Sequence, residues 1–210
     1  TENRLKQEIL LGIGGVKALK ELGKKFDVYH INEGHAAFSV LKRIEDVMQR
    51  HVLTFQQALE LVKSQTIFTT HTPVAAGHDM FSQDLLRKYF GNYIEKLHIS
   101  WKDFVALGTM NPENIDEKFS MSIFALKCST YTNGVSKIHG KVTRKMFLPL
   151  FSGYFEDELY INHVTNAVHL PTWLHPKWQQ TLKKYNFDIY SESTTDPDSW
   201  EIFNQLSDEE

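Results

Sequence analysis

The sequence predicts an α/β fold in which helices flank a parallel sheet. Two observations carry this: short β-rich runs alternate with stretches of helical periodicity, and a polar, turn-forming cluster follows each strand candidate. Composition agrees. At 210 residues, with 41% hydrophobic and 23% charged side chains, the chain has the make-up of a globular protein long enough to bury a core.

The elements can be taken in order. Leu5, Ile9, Val16, Leu19 and Leu22 lie roughly on one face of an opening helical run that Gly12, Gly14 and Gly15 interrupt, so a helix, a break and a second helix are expected. Residues 26–31 read as the first strand, closed by the turn Asn32, Glu33, Gly34, His35. Ala37, Leu41, Ile44 and Met48 then repeat at helical spacing over 36–49. Thr54 with Gln57 matches a capping box ahead of the apolar positions Phe55, Ala58, Leu59 and Val62. That helix feeds Thr66–Thr70, a buried strand by composition. Strand, helix and strand within roughly forty residues signal a right-handed crossover and parallel pairing.

Beyond it come a helix over 84–96, a second capping pattern at Ser100 and Asp103, and a buried helix over 121–129. A short strand then ends in an Asn133-Gly134 turn, a helix starts at about Lys137, and residues 160–164 form a fourth strand closed by Thr165-Asn166. From Pro171 the chain reads as a connector. The expected division is therefore 1–170 for the sheet domain and 171–210 for a segment leading to a further domain.

Several classes of function are disfavoured. Net charge is -3 and no Lys/Arg-rich block occurs, which argues against nucleic acid as a partner. No apolar run could span a bilayer, so no membrane partner is expected. The single cysteine, Cys128, lies in an apolar stretch and reads as a buried hydrophobe compatible with a reducing, cytoplasmic compartment. His71 and His78, seven residues apart across a proline and a glycine, have no recognised ligand spacing, so no metal is expected. The glycines of the first run do not form a dinucleotide fingerprint after a strand. Trp101, Trp173, Trp178 and Trp200 are scattered, which favours core packing over a sugar-stacking platform.

In a parallel sheet the carboxyl ends of the strands share one edge, where ligands bind. There the chain places Asn32, Glu33 and His35, then His71 and Thr72, then Asn133-Gly134, then Thr165-Asn166. Pro73 stops the ladder just past His71. Carboxamides, a carboxylate, hydroxyls and imidazoles suit the directional hydrogen bonds of sugar hydroxyls.

The blocks "RLKQEILLGIGG", "NEGHAAF", "FTTHTPVAAGHDMF", "NGVSKIHG", "VTR" and "VTNAVHLPTW", in this order, resemble the α-glucan (glycogen or maltodextrin) phosphorylases, especially their bacterial-type branch. The resemblance implies the later part of the N-terminal domain of a two-domain, Rossmann-like glycosyltransferase. It implies phosphorolysis of an α-1,4-glucan by inorganic phosphate to α-glucose 1-phosphate, assisted by pyridoxal phosphate. By the same resemblance His71 lines the glucosyl pocket as the catalytic position and Glu33 stands beside it. Asn133, Gly134 and Val135 form part of its wall, and Asn166 grips another hydroxyl.

His35 and His139 are expected to be structural. Ala167 replaces the family's usual glycine, which would strain the backbone if φ were positive there. The cofactor lysine and phosphate clamp would belong to a C-terminal domain beyond Glu210, so the chain is expected to be inactive alone, with homo-oligomer formation as a further expectation. Two other readings are a non-catalytic carbohydrate-binding module and part of a nucleotide-sugar glucosyltransferase.

Overall fold

The computed structural model describes residues 1–74 and 77–206. Two compact units divide the chain, Thr1–Thr165 and Asn166–Glu210.

The first unit opens with α1 (Glu2–Ile9), a π-helical turn (Leu10–Gly14) and α2 (Gly15–Glu21). The break expected at the glycines does not occur; the helix continues through them as one widened turn. Gly12 is needed for close approach, since a Cβ there would stand 2.8 Å from Ser39 N and 2.9 Å from the Phe38 carbonyl carbon. The wider turn also shifts the helical phase, so Leu5 and Val16 are buried whereas Leu22 is 70% exposed.

After β1 (Tyr29–Asn32), a 3-10 turn (Gly34–Ala36) precedes α3 (Ser39–His51), then α4 (Phe55–Ser64) and β2 (Thr66–Thr70). The first strand thus begins later than its composition suggested, and the helix after it starts later too. β3 (Met80–Phe81), α5 (Gln83–Lys96), α6 (Trp101–Ala106), β4 (Phe119–Ser120) and α7 (Met121–Lys127) follow. β5 (Tyr131–Gly134), α8 (Lys137–Phe147) and β6 (Ile161–His163) complete the unit. The helices α4 to α8 each begin on a serine or threonine whose hydroxyl accepts a backbone N–H three residues on. At Thr54 the capping box is complete.

β1, β2, β5 and β6 form a parallel sheet in the order β1-β2-β5-β6. Asn133 and Gly134, expected to turn, are instead the last two residues of β5. Asn133 is paired with Thr69 on one side and Asn162 on the other. Parallel pairing on both sides outweighs the turn preference of the dipeptide. Ile31, Phe68, Thr132 and Ile161 stand in one register row facing the core, all at most 4% exposed. The adjacent row, Asn32, Thr69, Asn133 and Asn162, is exposed or half-buried.

The core is built on phenylalanine. Phe38, Phe90, Phe104, Phe119 and Phe124 form a closed circuit of ring contacts with centroids 4.6 to 5.9 Å apart, each ring at most 1% exposed. Phe119 enters it from the antiparallel pair β3–β4, which was not foreseen because two-residue strands carry no readable period. Cys128 is fully buried and its thiol is pushed up to about 12 by desolvation.

The second unit contains α9 (Leu170–Trp173), α10 (Pro176–Lys184) and 3-10 turns at Glu192–Thr195 and Pro197–Gln205. Leu182, Phe187 and Ile189 make its small core, and the Trp200 ring lies between those of Phe187 and Phe203. Trp173 departs from the expectation of core packing: it is 77% exposed, and Trp178 is exposed as well. Among the described residues no helix is long and apolar enough to cross a membrane.

Candidate functional site

The carboxyl ends of β1 and β2 hold the densest group of the expected residues. Glu33, one position past β1, has φ 60 and ψ -179, a conformation that favours glycine. Two bonds, one to β2 and one to the residue just past it, hold it there. Its N–H donates to the Thr69 carbonyl at 2.8 Å, and its buried carboxylate accepts the backbone N–H of His71. The glycine that follows is equally constrained, since a Cβ on Gly34 would meet Met121 Cβ at 2.8 Å. Backbone strain at Glu33 thus serves to turn a carboxylate toward the next strand end.

His71 is exposed, and its ring is oriented by a second neighbour: Nε2 lies 2.6 Å from Asn32 Oδ1. A carboxamide oxygen can only accept, so Nε2 carries the proton and Nδ1 keeps a free lone pair. Asn32 and Thr69 are register partners, as are Thr69 and Asn133. Asn133 therefore stands level with Asn32, two strands away.

Gly134 and Val135 follow, packed against the start of α8. A Cβ on Gly134 would come within 2.8 Å of Gly140 N and 2.9 Å of His139 Nδ1, while the Val135 N–H donates to that nitrogen at 3.2 Å. His139 is buried and ties β5 to α8, the structural role expected of it. His35 is likewise a tether, bonded to Arg4 at 2.6 Å. His78 has its own partner, Ser122 Oγ at 2.5 Å, whereas His71 faces Asn32, so the two histidines serve different elements. Asn166 is exposed and is the first residue of the second unit. Ala167 is not among the residues with positive φ, so the loss of glycine there strains nothing.

The loops 32–35, 71–74 and 133–136 contain one carboxylate and no lysine or arginine. Such a set can hold a neutral polyol by hydrogen bonds but has no cation for a phosphate group.

The family model for carbohydrate phosphorylases matches residues 7–210. The chain belongs to this family. It is 38% identical to the maltodextrin phosphorylase of Thermococcus litoralis over 209 residues, covering 100% of the chain and 24% of that relative. It is 39% identical to the glycogen phosphorylase of Mycobacterium tuberculosis over 216 residues, with 98% and 24% covered. The Aquifex aeolicus glycogen phosphorylase is 34% identical over 207 residues, covering 99% of the chain and 29% of the relative. The chain thus spans only about a quarter of the length of these phosphorylases and is a phosphorylase segment.

Within this segment, sequence reasoning named Asn32 at the strand-end edge without giving it a task. Its bond to His71 makes it the residue that sets the imidazole tautomer. Arg4 and Asp79 were not singled out at all. They meet across 75 residues, and no local pattern reports such a pair.

Proposed function

We propose that this segment forms the glucosyl-binding wall of an α-1,4-glucan phosphorylase, which as a whole releases α-glucose 1-phosphate from glycogen or maltodextrin. The observation that supports this most directly is the linkage of Asn32, Glu33 and His71 at one sheet edge. His71 Nδ1 accepts from a sugar hydroxyl while its backbone carbonyl lies toward the reacting carbon. Glu33, with one oxygen engaged by His71, accepts a second hydroxyl through the other. Asn133 both donates and accepts at the pocket wall beside Gly134 and Val135. Asn166 is assigned a hydroxyl contact on the family resemblance alone.

Pyridoxal phosphate does not fit the loops of this segment, which would set a carboxylate against its phosphate and supply no cation. In this reading the cofactor and inorganic phosphate are held by a C-terminal phosphorylase domain, and this chain's share of catalysis is binding and orientation. The test is direct. The 210-residue chain, given maltodextrin, phosphate and pyridoxal phosphate, should form no glucose 1-phosphate. The full-length enzyme should form it and lose turnover with His71→Ala. Steady product from the chain alone, or unchanged kinetics in H71A, would refute the assignment.

A further inference from the structure

Behind the strand-end edge, α1 carries a carboxyl in an uncommon setting. Glu8 is 1% exposed, and neither oxygen accepts an aligned hydrogen bond. Arg4 brings Nε within 3.0 Å of Glu8 Oε1, yet that N–H is directed at Asp79. Asp79 Oδ2 accepts from Nε at 3.1 Å and from Nη2 at 2.9 Å. Nη2 also lies 2.6 Å from His35 Nδ1, and because a guanidinium only donates, that imidazole nitrogen is unprotonated. Glu8, His35 and Asp79 place ligand-type atoms within 4.8 Å of one another. A metal ion is not required to explain this, since the Arg4 guanidinium already supplies the cation.

The groups facing Glu8 come from three elements: Arg4 from α1, His35 from the turn after β1, and Asp79 from the loop between β2 and β3. Burial, and then the neighbouring Asp79 carboxylate, push Glu8 up to about 8. Asp79, although partly desolvated, is held below the usual carboxylate range by Arg4 and Glu8. Near neutral pH Glu8 is therefore a neutral acid facing an ionised Asp79.

His35 is two residues beyond Glu33, and Asp79 is eight residues beyond His71 in the sequence. We propose that Arg4 and Glu8 are positioning residues: with His35 and Asp79 they form a proton-held clasp that fastens to α1 both loops carrying the Glu33–His71 bond. Ionisation of Glu8 would set two carboxylates against one guanidinium and release the Asp79 loop. The consequence for turnover rests on the glucosyl-wall reading; the clasp itself does not.

Nuclear magnetic resonance on the full chain between pH 6 and 9 can follow the Glu8 carboxyl carbon and the exchange protection of the His71 amide. The expected result is a Glu8 midpoint near pH 8, with His71 protection falling about tenfold through the same step. Glu8→Gln should abolish the step. Arg4→Gln should lower His71 protection at every pH while core amides keep theirs, and Arg4→Lys should restore part of it. Should R4Q fail to fold, the wild-type titration and E8Q still decide. Titration of Glu8 in the ordinary carboxylate range, or His71 protection without a step, would overturn the clasp. Neither readout involves sugar, so a failed glucan assay leaves this result standing, and the reverse holds as well.

Discussion

The imidazole Nε2 of His71 and the carboxamide oxygen of Asn32 lie 2.6 Å apart, joining the ends of two neighbouring parallel strands. This bond fixes which ring nitrogen carries the proton. On the proposed glucosyl-wall reading, Asn32→Ala in the full-length enzyme should lower kcat by about tenfold or more through misorientation of the ring, with a smaller effect on KM. Nitrogen-15 spectra of the imidazole check the cause: the wild type should show the Nε2–H tautomer, and the variant a mixture.

At Glu33 two effects oppose each other. Relief of the backbone strain by Glu33→Gly is worth about 1–3 kcal/mol, and loss of the carboxylate that accepts the His71 N–H costs about 1.5–3 kcal/mol. Stability in denaturant should therefore change little. Amide exchange at His71 should nevertheless accelerate sharply, which separates the positioning role from the stabilising one.

Glu8 makes stability depend on pH in a defined direction. Its folded-state value, about 8, is raised from 4.5, so between these values the folded chain holds a proton that the unfolded chain has lost. Stability should be greatest below pH 4.5 as far as this group is concerned, and should decline as pH rises toward 8, by an amount on the order of a few kcal/mol. Denaturation midpoints measured at pH 5 and pH 8 should differ in the wild type. In E8Q this contribution should vanish, narrowing the difference.

Gly12 and Gly15 should respond oppositely to alanine. At Gly12 the new Cβ would press on the backbone of Phe38 and Ser39, so G12A should destabilise the chain by several kcal/mol, a cost on the order of overpacking. At Gly15 a Cβ meets nothing within 4 Å and the residue is helical, so G15A should stabilise by about 0.5–1 kcal/mol. Thermal melts of the two variants test the pair.

Cys128 should resist thiol reagents in the folded chain, because burial holds the thiol in its neutral form. Reaction with a disulfide reagent should be slow in buffer and stoichiometric in denaturant; rapid native-state labelling would contradict the packing.

What was legible in the sequence, and what was not, follows from the range of each interaction. Thr66–Thr70 was readable because β-branched and aromatic residues favour the strand wherever it pairs, and the caps at Thr54 and Ser100 lie within three residues of their partners. The π turn was missed because glycine spacing does not separate a widened helix from a broken one. Asn133-Gly134 was misread because a dipeptide preference is silent about the strands on either side. The polar residues after the strands were visible, but not that Asn32 would hold His71 or that Arg4 would reach Asp79.

The amino-acid order by itself determined the alternation of strands and helices, the polar character of the strand ends and the inert setting of Cys128, since these depend on backbone preference and side-chain type over a few residues. The tertiary structure alone decided which strand ends meet, why Glu33 accepts a strained backbone, and where the Glu8 proton resides. Those outcomes depend on groups brought together from distant parts of the chain, and on the desolvation and charge that each imposes on the others once packed.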